Sequence, residues 1–151
     1  MLTSEEIRAL TEERVWGTLI AVEGDRPYGV ELAYTFDGEY VYFSLSRPNG
    51  RIIRCLRTNP NIALKICEAD AKPKTWRAAI IEGKAEKVTQ REEIFRALRS
   101  LAKRLELVED YYNGIAERFA HDPESSTLYR LAIKEVGGKY KTEEIKYRSF
   151  K

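Results

Sequence analysis

The residues best equipped for chemistry lie between Tyr40 and Glu68, in the stretch YVYFSLSRPNGRIIRCLRTNPNIALKICE. It reads as a strand running into a polar turn, then a short helix opening at Gly50-Arg51 and stopping at Asn59-Pro60, then a second strand. That order sets the hydroxyls of Ser44 and Ser46 and the guanidinium of Arg51 near a strand-to-helix junction. The first backbone N–H groups of a helix have no internal acceptors, so such a junction suits a phosphate. Arginine adds a permanent charge and a planar donor fork matched to phosphate oxygens. The chemistry implied is anion binding. The same residues allow a plainer reading, in which Arg51 covers the helix and meets a surface carboxylate while Ser44 and Ser46 merely end a strand.

The elements that must position this junction can be read along the chain. Thr3-Ser4-Glu5-Glu6 is a helix start, a hydroxyl cap followed by acids in the first turn, with Ile7 and Leu10 on one side. Strand patterns follow at Gly17–Val22, Tyr28–Thr35 and Glu39–Ser46, separated by the turns Glu23–Pro27 and Asp37-Gly38. Further strands are expected at Ile62–Cys67 and Trp76–Gly83, the latter continuing toward Val88 through a bend at Gly83, and at Thr127–Glu135. Between them, Gln90 to about Ala120 is helical, with Ile94, Leu98, Leu101 and Leu105 at helical spacing and a break near Leu107. Tyr111-Tyr112 reads as an aromatic pair that packs helix to sheet, and Tyr140–Lys151 as a basic, polar tail. Strands come first and the long helices late. The expected fold class is therefore mainly β with helices (α+β), a small antiparallel barrel with helices attached.

Composition narrows the function. The 151 residues fit one domain spanning 1–151, and 43% hydrophobic residues support a packed core. Net charge is +2, from 26 basic and 24 acidic side chains, so bulk electrostatics give no reason to expect a nucleic-acid partner. Cys55 and Cys67 are too few for a disulfide framework and read as small apolar residues. No spacing of Cys and His suggests a metal, and His121, ahead of Asp122-Pro123, reads as an exposed loop residue. The N-terminus lacks a basic region followed by an apolar run, and no stretch approaches a membrane span. A soluble, cytoplasmic protein without a membrane partner is the expectation.

The segments Phe43-Ser44-Leu45-Ser46, Gly50-Arg51-Ile52 and Asn59-Pro60 resemble the pyridoxamine 5′-phosphate oxidase-like, FMN-binding split barrels. So do Trp76–Glu86, ending in Gly-Lys-Ala-Glu, and Tyr129–Ile133 with Gly137-Gly138-Lys139. The resemblance implies an antiparallel split β-barrel with peripheral helices, an isologous homodimer, and FMN lying between the two subunits. It implies that the strand containing Gly29, Val30, Glu31 and Leu32 passes beside the flavin ring, with Gly29 permitting close approach. Ser44, Leu45, Ser46, Gly50 and Arg51 would serve the ribityl chain and phosphate, and Trp76 and Arg77 would reach the flavin from the facing chain. The implied activity is a flavin-dependent reduction of a small-molecule acceptor with electrons from NAD(P)H. No side chain is singled out as a catalytic acid or base, since the flavin carries the chemistry.

The chain departs from the pattern in two places. The lysine that commonly follows the helix-start arginine is Ile52, leaving Arg47 or Arg54 to supply a second charge, and Glu31 stands where a proline is frequent. The C-terminal part shows no match to the arginine-rich substrate site of the oxidase itself, so the similarity runs to the shorter branch that includes nitroimidazole-resistance reductases. Two alternatives stay open at this point: a flavin-binding protein for storage or sensing, and a barrel holding haem or a deazaflavin.

Overall fold

The computed structural model describes residues 2–69, 75–133 and 139–146. Helix α1 (Ser4–Glu13) opens on a full capping box: the Thr3 hydroxyl accepts from the Glu6 N–H, and the Glu6 carboxylate accepts from the Thr3 N–H. Strands β1 (Trp16–Glu23) and β2 (Arg26–Ala33) form a hairpin whose two-residue turn needs the left-handed backbone of Gly24, at φ 63°. After Tyr34 come β3 (Thr35–Phe36) and β4 (Tyr40–Ser44), then helix α2 (Arg51–Thr58). Strands β5 (Asn61–Ala69), β6 (Thr75–Lys84) and β7 (Glu86–Lys87) follow, then helices α3 (Arg91–Arg104) and α4 (Asn113–His121). A turn of 3-10 helix (Pro123–Ser125) leads to β8 (Leu128–Ala132) and β9 (Lys139–Lys146).

All strand pairs are antiparallel. A five-stranded sheet runs β2-β1-β5-β6-β9 and a four-stranded one runs β3-β4-β8-β7. The chain steps directly from a strand of the larger sheet into one of the smaller at Tyr34, between β2 and β3, and at Ala85, between β6 and β7. At both crossings the backbone stays bonded: Tyr34 N–H donates to Val15 O at 3.0 Å and Ala85 N–H to Pro60 O at 2.8 Å. The result is a split β-barrel.

Alternation along the strands decides what fills it. Leu19, Leu64 and Ile81 are register partners across β1, β5 and β6, and all three point inward with Val41, Phe43 and Leu131 of the other sheet. Helix α1 caps this core with Ile7 and Leu10, and its last turn is tied down where the Tyr34 hydroxyl donates to Thr11 O at 2.8 Å. Helix α2 adds Ile52, Ile53, Cys55 and Leu56. A second cluster forms where α3 and α4 pack Ile94, Leu98 and Phe119 against Tyr42, Val88 and Leu128 on the outer side of the smaller sheet. A polar knot orients α3 there. Glu93 accepts from the Tyr42 hydroxyl at 2.8 Å and from Arg130 Nη1 at 2.6 Å, while the Arg130 guanidinium stacks 4.3 Å over the Tyr40 ring.

The helical stretch Gln90–Ala120 breaks near Leu107 as expected, because Glu106 takes a left-handed backbone (φ 57°) and the Leu107 N–H bonds back to Ala102 O. Other sequence readings shift. Most of the polar tail is β9, paired along β6, and His121 ends α4 rather than sitting in a loop. Cys55 is buried, where burial pushes its thiol pKa up, but Cys67 is exposed and not a core residue; both are free thiols. Tyr112 packs on the second cluster, whereas Tyr111 is 59% exposed and makes only an edge contact to Tyr112. The Gly137-Gly138 pair falls outside the described residues.

Because Glu93 satisfies two part-buried donors at once, Glu93→Ala leaves Tyr42 and Arg130 without their acceptor. We expect a loss of about 2 kcal/mol of stability, read by urea denaturation with an unchanged denaturant slope. A loss within error of zero would show that the knot does not anchor α3.

Candidate functional site

Helix α2 presents an arginine cluster to the turn end of the β1–β2 hairpin. The Glu23 carboxylate stands between two guanidinium groups, with Arg51 Nε 3.6 Å from one oxygen and Arg54 Nε 3.4 Å from the other. The Arg51 guanidinium stacks over the Tyr28 ring at 4.4 Å. Arg51 Nε is buried yet has no hydrogen-bond acceptor among the described residues, because Glu23 stands too far off. The helix start is open as well: Gly50 is the N-cap with no side-chain cap, and the first turn carries no acid. Gly50 also closes the turn, its N–H donating to Arg47 O, and a Cβ there would sit 3.2 Å from that carbonyl. The missing lysine is explained locally. Ile52 is 9% exposed and belongs to the barrel core, so its position faces inward and Arg54, one turn on, is the cation that joins Arg51.

Ser44, Leu45 and Ser46 lie at the end of β4, ahead of the turn into α2. They line a groove of about 320 Å³ between the end of β4 and helix α4, together with Trp16, Ala33 and Arg118. Leu45 is buried and its N–H donates to Thr127 O, so only its backbone rim could serve a ligand, while Ser46 is exposed. Trp16 and Ala33 are register partners at the open end of the hairpin; Glu23 and Arg26 pair at its turn. Arg51 opens α2 just past the turn that Gly50 N–H closes on Arg47 O, and its guanidinium meets Glu23 and Tyr28 while the serines line the groove.

Strand β2 connects the two places. Its residues Tyr28, Gly29, Val30, Glu31 and Leu32 run from the arginine cluster toward the groove, and β2 pairs only with β1 among the described residues. One row of its N–H and C=O groups therefore has no strand partner among the described residues, and Pro27, which lacks an N–H, is tolerated there. Val30 and Leu32 turn their side chains into the barrel, so they can offer only backbone. Glu31 is held across the hairpin by the Thr18 hydroxyl. Gly29 is exposed, and a Cβ there would meet only ordinary contacts, 3.7 Å from Thr18 Cγ2 and 3.8 Å from Leu19 O. Gly17 differs, since a Cβ would press to 3.2 Å on the Lys65 carbonyl. A side chain at 17 would need its neighbours to shift by a few tenths of an ångström, whereas position 29 has room for one.

Arg77, on β6, bonds Glu68 at 2.7 Å and lies 3.9 Å from Glu13. The Glu68 hydrogen bond drives its pKa further above the ordinary arginine range. The backbone of Trp76 continues β6, and its side chain lies outside the described residues. No group of three or more His, Cys, Asp or Glu among the described residues could hold a metal, and no helix among them is long and apolar enough to cross a membrane. Glu23, Tyr28 and the groove residues Trp16 and Arg118 were not singled out from sequence. Glu23 and Tyr28 flank a legible hairpin turn, but their meeting with α2 is a long-range contact that no local pattern announces.

Comparison with known proteins bears on this arrangement. No curated protein matches the chain. Among solved structures it is similar to a Bacteroides thetaiotaomicron protein described as a candidate 5-nitroimidazole antibiotic resistance protein, with TM-score 0.74 and 15% identity over 95% of this chain and 85% of that one. It is also similar to a FAD-binding protein from Mesorhizobium loti (TM-score 0.62, 15% identity, 95% of this chain and 96% of that one). The haem storage protein HutZ of Vibrio cholerae is a third (TM-score 0.65, 18% identity, 89% and 92%). At these identities the likeness speaks for the fold. The family model described as pyridoxamine 5′-phosphate oxidase matches residues 3–140, nearly the whole barrel with its helices, and the chain belongs to that family.

Proposed function

We propose that the chain binds FMN along β2 and uses it to pass electrons from NAD(P)H to a small acceptor. The observation that carries this reading is the Arg51 guanidinium, stacked on Tyr28 with a buried Nε that, among the described residues, has no acceptor, at one end of a strand edge unpaired among them. A phosphate oxygen would satisfy that donor and the two neighbouring positive charges. Similarity to a FAD-binding protein supports a flavin as the class of ligand.

In this reading Arg51 and Arg54 hold the phosphate, and the outer N–H and C=O groups of Gly29–Leu32 orient the ring by its polar edge. Ser44 and Ser46 line the groove beside α4, where an acceptor could approach. Bound flavin supplies reversible hydride and electron transfer, and the protein's part is to place the ring and keep water from it. Haem is less well served, since His121, the one histidine of the sequence, is an exposed residue ending α4.

The second subunit enters through the outer face of the larger sheet. Across that face Gly29, Ile20, Ala63 and Glu82 form one register ladder. Ile20, Val22 and Ala63, with Ile62 and Gly83, line a shallow groove of about 530 Å³. A second copy packed there would cover half-buried apolar side chains and could bring its Trp76 and Arg77 toward the flavin.

Three outcomes are expected. Arg51→Ala weakens FMN by roughly 10- to 100-fold in a fluorescence titration, while riboflavin, without a phosphate, binds as before. Equal loss for both ligands, or for neither, would place the phosphate elsewhere. Gly29→Val keeps or raises the melting temperature, since a β-branched residue suits a strand, yet lowers flavin affinity; unchanged affinity would remove the ring from β2. Ile20→Asp yields monomers in sedimentation and reduces flavin retention; a dimer that persists would move the interface to another face.

A further inference from the structure

We propose that Glu23 is a built-in competitor for the phosphate, a carboxylate that occupies both arginines until a ligand displaces it. This rests on the flavin-phosphate reading given above and adds to it a residue that sets affinity. Glu23 ends β1, immediately before the Gly24-Asp25 turn, and reaches back to α2 with one oxygen toward Arg51 and the other toward Arg54. Phosphate would present oxygens to the same two groups.

The contact is loose. Its N–O separations, 3.6 and 3.4 Å, exceed the 2.7–2.9 Å of a tight charge-assisted bond, and the Glu23 side chain is 37% exposed. Exposed pairs of this kind hold weakly, so the carboxylate can turn to water without a large penalty. Arg51 is better fixed, since Tyr28 supports its guanidinium face and the chain buries its Nε. Arg54 keeps a second contact, Nη1 to Asn49 O, also at 3.4 Å. Displacing Glu23 therefore leaves the arginines in place for a phosphate, which carries about −1.5 to −2 charge against the single negative charge it replaces.

Two effects follow for the bound state. A carboxylate that stays near the phosphate repels it, and one that swings away gives up its own ion pairs. Either way Glu23 opposes phosphate binding and leaves a ligand without phosphate untouched. It acts as a brake on affinity, selective for the phosphorylated flavin.

The test is a pair of fluorescence titrations, FMN and riboflavin, on wild type, Glu23→Gln, Glu23→Asp and Arg51→Ala. Glu23→Gln keeps the size and removes the charge, and we expect it to bind FMN roughly tenfold more tightly with riboflavin unchanged. Glu23→Asp keeps the charge and should stay near wild type. Circular dichroism of each variant checks the fold. If Arg51→Ala weakens FMN while Glu23→Gln leaves it unchanged or weaker, the competitor role is overturned and the phosphate site stands. Riboflavin tightening as much as FMN in Glu23→Gln would also overturn it. If Arg51→Ala has no effect on FMN, the phosphate reading itself fails.

Discussion

Two segments of this chain each serve both sheets, and the rest of the structure depends on that double sharing. β2 runs on into β3 across Tyr34, and β6 into β7 across Ala85. With both crossings fixed, the inward rows of Leu19, Leu64 and Ile81 must face Val41, Phe43 and Leu131. Slipping either strand by one residue would turn its apolar row to water. The same arrangement leaves β2 at the edge of the larger sheet. An unpaired edge is a hazard in most proteins; here it is the strand that links the arginine cluster to the groove.

Electrostatics near that edge are finely balanced. Two arginines meet one glutamate, so the cluster keeps a surplus positive charge and a buried donor without an acceptor among the described residues. Arg77 lies under the opposite balance, between Glu68 and Glu13. A charge already satisfied within its own subunit attracts an incoming anion less than one that is not. The difference between these arginines is why Arg51, rather than Arg77, anchors the proposed function.

Much of this was legible locally. The Thr3 and Glu6 capping box, the Asp37-Gly38 turn, the stop at Asn59-Pro60 and the helical spacing of Ile94, Leu98 and Leu101 are each set within a few residues. The antiparallel barrel followed from the order of those elements. What could not be read depends on partners far along the chain. β9 carries too few apolar residues to look like a strand and owes its form to pairing with β6. Cys67 looked like a core residue by type, yet its place in β5 leaves it exposed. The site was half legible: Arg51, Ser44 and Ser46 were found by type and spacing, but the contacts of the Arg51 guanidinium with Glu23 and Tyr28 were not. The Glu23 contact, joining β1 to α2, had no local signature.

The most direct test of the central claim is the visible absorption spectrum of the purified protein after FMN is added and the excess removed. Flavin bands that stay with the protein in about one equivalent per chain are the predicted result. A colourless protein that never retains FMN would contradict the account, leaving a split barrel whose arginine cluster serves some other anion.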